Sequence, residues 1–266
     1  SKEFVEKENE ALDESDFKNV SLNYTSNYDL PDKSLGTFSF LATESLAKLS
    51  YEELKDLSEI SDPLTKVLRL CLIRNFKSAF KAIDVLYRYY MKIPTYWNVL
   101  GSCHAHNGNL ELAKIYFDKS LSLKSDYGPG LNNLAVLYLK KGYHDKAVQI
   151  LKTLIRKNPG LHTPRYNLAL IYLKYGKYIE ARTLLQAIEQ GNTTDDGHLF
   201  LMAISYMYEG NYTQAQSYFS KIPLSLIRKF DVGFNQALNF HALGKVDKAS
   251  KLYASLVPRS KSQKSA

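Results

Sequence analysis

Few side chains in this sequence could do chemistry on their own. His104 and His106 stand two apart on what reads as a helix, so they point to different faces, and a zinc site needs further ligands. The two cysteines, Cys71 and Cys103, cannot form a disulfide framework. They fall in the first helices of adjacent repeats, where they could lie near one another, but we expect buried free thiols. The sequence has no phosphate-cradling glycine loop, nucleophile elbow or paired metal-binding histidine motif. Asn-x-Ser/Thr matches at Asn19, Asn23, Asn192 and Asn211 read as coincidental. Catalysis, a metal site and a cofactor are therefore not expected, and the asparagines, aromatics and lysines matter through where the elements place them.

The chain has 266 residues, 45% hydrophobic and 23% charged, the composition of a soluble folded protein. No apolar run approaches the roughly 18–20 residues of a membrane span. Charge is unevenly spread. Residues 1–62 hold 15 acids and 6 lysines, a net of −9, and residues 63–266 hold 29 bases and 12 acids, a net of +17. A basic body attracts nucleic acid, an anionic polymer or lipid, or an acidic protein, and the plainer reading is a solvated lysine-rich surface. Residues 1–39, rich in Lys, Glu, Asp, Asn and Ser, read as a mostly disordered acidic arm. Residues 259–266 read as a basic flexible tail.

Glycine recurs at Gly108, Gly142, Gly176, Gly210 and Gly244, each step being 34 residues. Alanine keeps step at Ala113, Ala147, Ala181, Ala215 and Ala249, and Ala79 extends its phase backwards while Arg74 replaces the glycine. Each unit reads as two helices. In 94–127, Trp97, Leu100, Gly101 and His104 form one helical stripe, Gly108 ends the helix, and Ala113, Tyr116, Phe117 and Ser120 mark the second. A small residue lets two helices of a hairpin approach closely, while bulk at Trp97, Tyr138, Tyr172, Tyr206 and Phe240 fills gaps between units.

This pattern resembles the tetratricopeptide repeat (TPR) family, whose 34-residue motif runs aromatic, Leu-Gly, Tyr, Gly, Ala, Phe and Pro at fixed offsets. Unit 94–127 matches with Trp97, Leu100, Gly101, Gly108, Ala113 and Phe117. Unit 128–161 matches with Leu134, Ala135, Tyr138, Gly142, Ala147 and Pro159. Units 162–195, 196–229 and 230–258 keep most of these columns, and 60–93 is degenerate, retaining Leu70, Ala79 and Leu86. About six repeats cover three quarters of the chain. The resemblance implies an all-α, right-handed α-solenoid over 60–258. Residues 40–59, with Leu41, Leu46, Leu49, Leu54 and Leu57 and a Ser50–Glu53 capping box, read as an N-terminal capping helix.

In that family the first helices line a concave groove through offsets 2, 5, 6, 9, 12 and 13 of each repeat. Those offsets here place amides at Asn98, Asn132, Asn133, Asn167 and Asn235, and aromatics at Tyr166, Phe200 and Phe234. Val136, Leu170, Ile204 and Leu238 make one aliphatic row, with Leu139, Leu173 and Met207 making another. Lys140, Lys174 and Tyr208 occupy the last offset. Amides can hold an extended backbone and aromatics can anchor side chains. The expected ligand is a peptide or amphipathic helix with apolar anchors and acidic residues. The alternative for the aliphatic rows is that they only pack the solenoid against itself. A two-carboxylate clamp for a chaperone tail is not expected, because the places it needs hold Asn98, Ser102, Asn133, Thr163 and Asn167, and only Asn133 fits.

The expected function is thus a non-catalytic scaffold or adaptor that helps assemble a multiprotein complex. The alternative is binding of an anionic polymer through the basic superhelix, although no nucleic-acid motif or dense arginine stripe is present. A further possibility is that residues 1–39 lie over the basic body and screen it. The absence of an initiator methionine and the polar arm resemble cell-envelope TPR lipoproteins, so periplasmic or outer-membrane tethering is slightly favoured over a cytoplasmic adaptor, the membrane being met only through an anchor outside the sequence. With no C-terminal capping helix after Leu256, the last repeat is a candidate surface for homo-oligomer formation.

Overall fold

The computed structural model describes residues 63–189, 196–228 and 230–256. All regular elements among them are α-helices, with no strand. In chain order they are α1 (Pro63–Leu72), α2 (Phe76–Tyr90), α3 (Pro94–His106), α4 (Leu110–Leu123), α5 (Gly128–Lys140), α6 (His144–Lys157), α7 (His162–Lys174), α8 (Tyr178–Glu189), α9 (Asp196–Tyr208), α10 (Tyr212–Phe219), α11 (Leu224–Ile227), α12 (Phe230–Ala242) and α13 (Val246–Leu256). The expected arm, capping helix and basic tail lie outside the described residues.

The chain divides into two compact units, with described residues 63–171 in the first and 172–256 in the second. In the first, α1 packs on α2, α3 on α4 and α5 on α6, while α3 also meets α1 and α5. In the second, α8 packs on α9, α9 on α10, α10 on α12 and α12 on α13. Helix pairs are stacked sequentially, as in a TPR α-solenoid.

The glycine column is a column of helix ends. Gly108, Gly142, Gly176, Gly210 and Gly244 all have positive φ, between 71° and 90°. The amide of the next residue donates back to the last turn, as Asn109 does to His104 O at 2.9 Å and Lys245 to Phe240 O at 2.8 Å. This is the hydrogen-bond pattern of a glycine-terminated helix. At the same place in the first repeat stands Arg74, with φ 62°, and Asn75 still donates to Leu70 O at 2.8 Å. A side chain in this conformation is strained by about 1–2 kcal/mol, partly offset by the greater freedom that glycine has when unfolded. Arg74→Gly is therefore expected to raise stability by up to about 1 kcal/mol, read as a higher urea midpoint at unchanged slope.

The alanine column is a column of helix contacts. Ala79, Ala113, Ala147, Ala181, Ala215 and Ala249 are all fully buried. At Gly101 the approach leaves no room for a side chain. A Cβ there would lie 2.7 Å from both Phe117 Cδ1 and Cε1 and 3.2 Å from Ala113 O. Trp97 ties the first two repeats together. Its Nε1 donates to Met91 O at 2.7 Å, and its ring meets Tyr87 and Tyr96 edge-on and stacks on Tyr116.

Two features depart from expectation. Cys71 on α1 and Cys103 on α3 are joined as a disulfide, with Cα atoms 5.3 Å apart, rather than remaining free thiols. The close packing of successive first helices brings them together. In repeat 196–229 the second helix is broken. α10 has 8 residues where α4 and α6 have 14, because the chain turns at Ser220 and Pro223 cannot continue the hydrogen-bond ladder. The short α11 follows, and its Ile227 O packs against Gly233 of α12 so closely that no Cβ would fit.

Candidate functional site

The first unit brings the inner-face amides together. Asn167 Nδ2 donates to Asn132 Oδ1 at 2.8 Å, Asn132 Nδ2 to Asn133 Oδ1 at 3.2 Å, and Asn133 Nδ2 to Asn98 Oδ1 at 2.8 Å. Asn133 Nδ2 also reaches Ser102 Oγ at 3.1 Å, and Ser102 donates to Asn98 O at 2.9 Å. The four amides are 0% exposed. They form a chain of side-chain bonds across α3, α5 and α7 that fixes the register of one first helix on the next. An amide bonded in this way is not presented to a ligand. Val136 and Leu170, at 0% exposure, are likewise closed, and Leu139 is buried. Of the inner-face residues of this unit, Tyr166 is half-buried and Lys140 is exposed.

In the second unit Phe200 and Ile204 are buried, Phe200 meeting Phe219 edge-on at 6.2 Å. Leu173 and Met207 are also buried, whereas Leu238 is half-buried. Asn235 is buried and donates through Nδ2 to Asp231 O at 2.7 Å, and its Oδ1 has no partner. Surface remains at Lys174, which is exposed, and at Tyr208 and Phe234, which are half-buried. Tyr208 stacks on Tyr178 at 5.9 Å, and burial raises the Tyr178 phenol above its usual pKa. Phe234 leans on Tyr253 at 5.4 Å.

Braces that sequence reasoning missed hold these helices. The Arg182 guanidinium lies 4.3 Å over Tyr206, Tyr206 stacks on Tyr218 at 5.7 Å, and Lys221 Nζ lies 4.8 Å from the Tyr218 centroid. Arg182 also pairs with Glu209 at 2.6 Å. In the first unit Lys141 pairs with Glu111 at 2.6 Å, joining the end of α5 to the start of α4. The signal for such stacks is a pair of rings twelve residues apart, since His104 and Tyr116 stack in the same way at 5.2 Å.

His104 lies against Phe80 and Tyr116, its Nδ1 is buried without a partner, and burial lowers its pKa below the usual 6.5. The fold holds it neutral. Its contribution to stability is full above pH 6.5 and is lost as pH falls through the lowered folded value. Urea midpoints should fall between pH 7.5 and pH 5, and His104→Phe should flatten that limb. Tyr96 donates to Ile83 O at 3.2 Å, and burial, with Asp84 and the rings of Tyr116 and Tyr87, pushes its pKa up to about 12. Among the described residues no group of three His, Cys, Asp or Glu side chains could hold a metal, and no helix is long and apolar enough to cross a membrane.

Two family models match, the tetratricopeptide repeat over residues 94–127 and the Psidin N-terminal TPR repeats region over 137–223. This is a tetratricopeptide repeat protein. Solved structures similar to this TPR protein include PilW, a widely conserved type IV pilus biogenesis factor, at TM-score 0.62 and 17% identity, covering 73% of this chain and 90% of that one. The Cut9–Hcn1 hetero-tetramer of the APC/C gives TM-score 0.61 and 17% identity over 75% of this chain, which spans 40% of that one. A tetratricopeptide repeat protein from Parabacteroides merdae gives TM-score 0.54 and 23% identity over 78% of this chain and 80% of that one. At these identities the likeness shows the fold alone. No curated protein matches the TPR chain in sequence.

Proposed function

We propose that the chain is a non-catalytic interaction scaffold whose first helices receive a segment of a partner protein bearing apolar anchors and acidic residues. The carrying observation is the residue set that keeps surface at the inner-face offsets: Tyr166 with Lys140 in the first unit, and Tyr208 and Phe234 with Lys174 in the second. Aromatic anchors together with ammonium groups suit such a segment. TPR proteins act as protein-interaction scaffolds, and the similar structures include the type IV pilus biogenesis factor PilW and the APC/C hetero-tetramer Cut9–Hcn1, which supports a role in building a multiprotein complex. The buried Cys71–Cys103 bridge supports maturation in an oxidising compartment such as the cell envelope.

Affinity capture with the intact chain, its prey identified by mass spectrometry, tests the reading. Alanine at Tyr166, Tyr208 and Phe234 should lose prey that the parent chain retains, at unchanged helical content. Undiminished capture counts against the inner face.

A second reading is favoured by one observation: the first unit holds 17 lysines and arginines against 5 acids, a net of +12, whereas residues 172–256 hold 9 against 7. An anionic polymer bound there would show an affinity that falls steeply with salt, and a flat dependence eliminates it.

A further inference from the structure

Helix α2 departs at two places from the pattern of its own repeats. At whole multiples of 34 residues from Lys77 stand Glu111, Asp145 and Asp247. Each lies in the first turn of its helix, where an acid complements the positive end of the helix dipole. α2 has no acid in its first turn and carries Lys77 there. Three residues earlier, in the turn into α2, Arg74 takes the left-handed slot that glycine fills in the five later repeats. Both exchanges act against the stability of the first repeat, and both put a cation at the same end of one helix. Locally unfavourable choices of this kind concentrate where a protein does its work.

The outer stripe of α2 continues from there. At 100° per residue, Lys77, Lys81, Val85, Arg88 and Tyr89 share an arc of about 120°, opposite the buried Ala79 and Ile83. All five are exposed, Val85 by 65% and Tyr89 by 73%, and no described aromatic residue is more exposed than Tyr89. Among the described residues, none of Lys77, Lys81 and Arg88 takes part in an ion pair. The one acid of α2, Asp84, lies just outside the arc, where its charge bears on Tyr96.

Cations beside a bare valine and tyrosine suit an anionic bilayer. The outer side of a single helix is a ridge, and a ridge has no recess of its own for the anchor residue of a protein partner. A bilayer surface yields to a ridge. Its phosphates meet lysine and arginine, and its headgroup level takes up a tyrosine ring and a valine side chain. Ile115 of α4, at the repeat position of Lys81 and 59% exposed, adds to the apolar part.

We propose that the outer stripe of α2, with Arg74 at its head, docks on the anionic surface of a lipid bilayer, the cations against lipid phosphates and Val85 and Tyr89 at headgroup level. The stripe shares no residue with the inner-face offsets, so this contact stands or fails apart from the partner reading. It differs from polymer binding through net charge in requiring the apolar pair.

The test is sedimentation of the intact chain with vesicles of phosphatidylcholine alone and of phosphatidylcholine with about 30 mol% phosphatidylserine, at about 0.1 M salt. Binding should require phosphatidylserine and vanish at 1 M salt, where the screening length is about 3 Å. Lys77→Gln, Lys81→Gln and Arg88→Gln together should lower the partition coefficient by about 100-fold, each cation near an anionic surface contributing about five-fold. Val85→Ser with Tyr89→Ser should lower it by about ten-fold. The same loss of three charges at Lys245, Lys248 and Lys251, in and beside α13, should cost less than about five-fold. Helical content should be unchanged throughout. A chain that ignores phosphatidylserine vesicles, or that loses as much through α13 as through α2, overturns the proposal. So does an unchanged partition on replacing Val85 and Tyr89, which would leave a surface that reads charge alone, as a soluble polyanion would.

Discussion

Replacing Cys71 and Cys103 together with alanine is expected to lower the stability of the first unit by about 3–4 kcal/mol. The bridge closes a loop with a sequence separation of 32, and the freedom it withholds from the unfolded chain gives this size in the loop-entropy account. Both cysteines are buried, at 1% and 0% exposure, among Leu64, Val67, Leu68, Ile83, Tyr96 and Val99, so alanine also leaves small voids that act in the same direction. The bridge fastens α1 to α3, so the degenerate first repeat should be the first to open. Urea unfolding followed by the single tryptophan, Trp97, which packs on that repeat through Tyr87, reports this region directly. A midpoint unchanged by the double substitution, or two titratable thiols in the denatured but unreduced chain, would contradict a closed bridge.

The second large effect lies at the hairpin of α3 and α4. Phe117 is 0% exposed and its ring rests on the bare backbone of Gly101. Phe117→Ala should cost about 3–5 kcal/mol through the void it leaves. Gly101→Ala should cost about 1–3 kcal/mol, because its methyl group would sit 2.7 Å from two ring atoms and the carbonyl of Ala113 limits retreat. The two should not add. With the ring gone, the added methyl enters the void, so the double variant should be more stable than the sum of single losses implies, by about 1 kcal/mol or more. Additive losses in denaturant titrations would show that ring and glycine do not share one contact.

The parts of the fold legible in the sequence are those ruled by one residue and its backbone. A helix end with φ between 71° and 90° calls for glycine, so the glycine column marked all five turns, and Arg74 marked the sixth by occupying the same slot at φ 62°. Ala113 and its counterparts mark the helix contacts because each small side chain is fully buried. Legibility failed where the outcome depends on distances between helices. Cys71 and Cys103 sit at different offsets of their repeats, and only the packing of α1 on α3 brings their Cα atoms to 5.3 Å. The sequence puts the asparagines at the inner-face offsets of the first helices. Whether such an amide meets a ligand or its neighbour is decided by helix spacing, and Asn132 and Asn167 stand close enough to bond each other. The break after α10 had its signal in Pro223, masked by an otherwise unslipped 34-residue period.

The scaffold reading is tested most directly by panning a random peptide display library against the intact chain and measuring the selected peptides by calorimetry. The account predicts enriched peptides that combine apolar anchors with acidic residues, and a loss of binding with alanine at Tyr166 or Tyr208. Alanine at Leu224, exposed away from the inner-face offsets, should leave binding intact. No enrichment, or binding that survives the tyrosine substitutions and fails at Leu224, would contradict it.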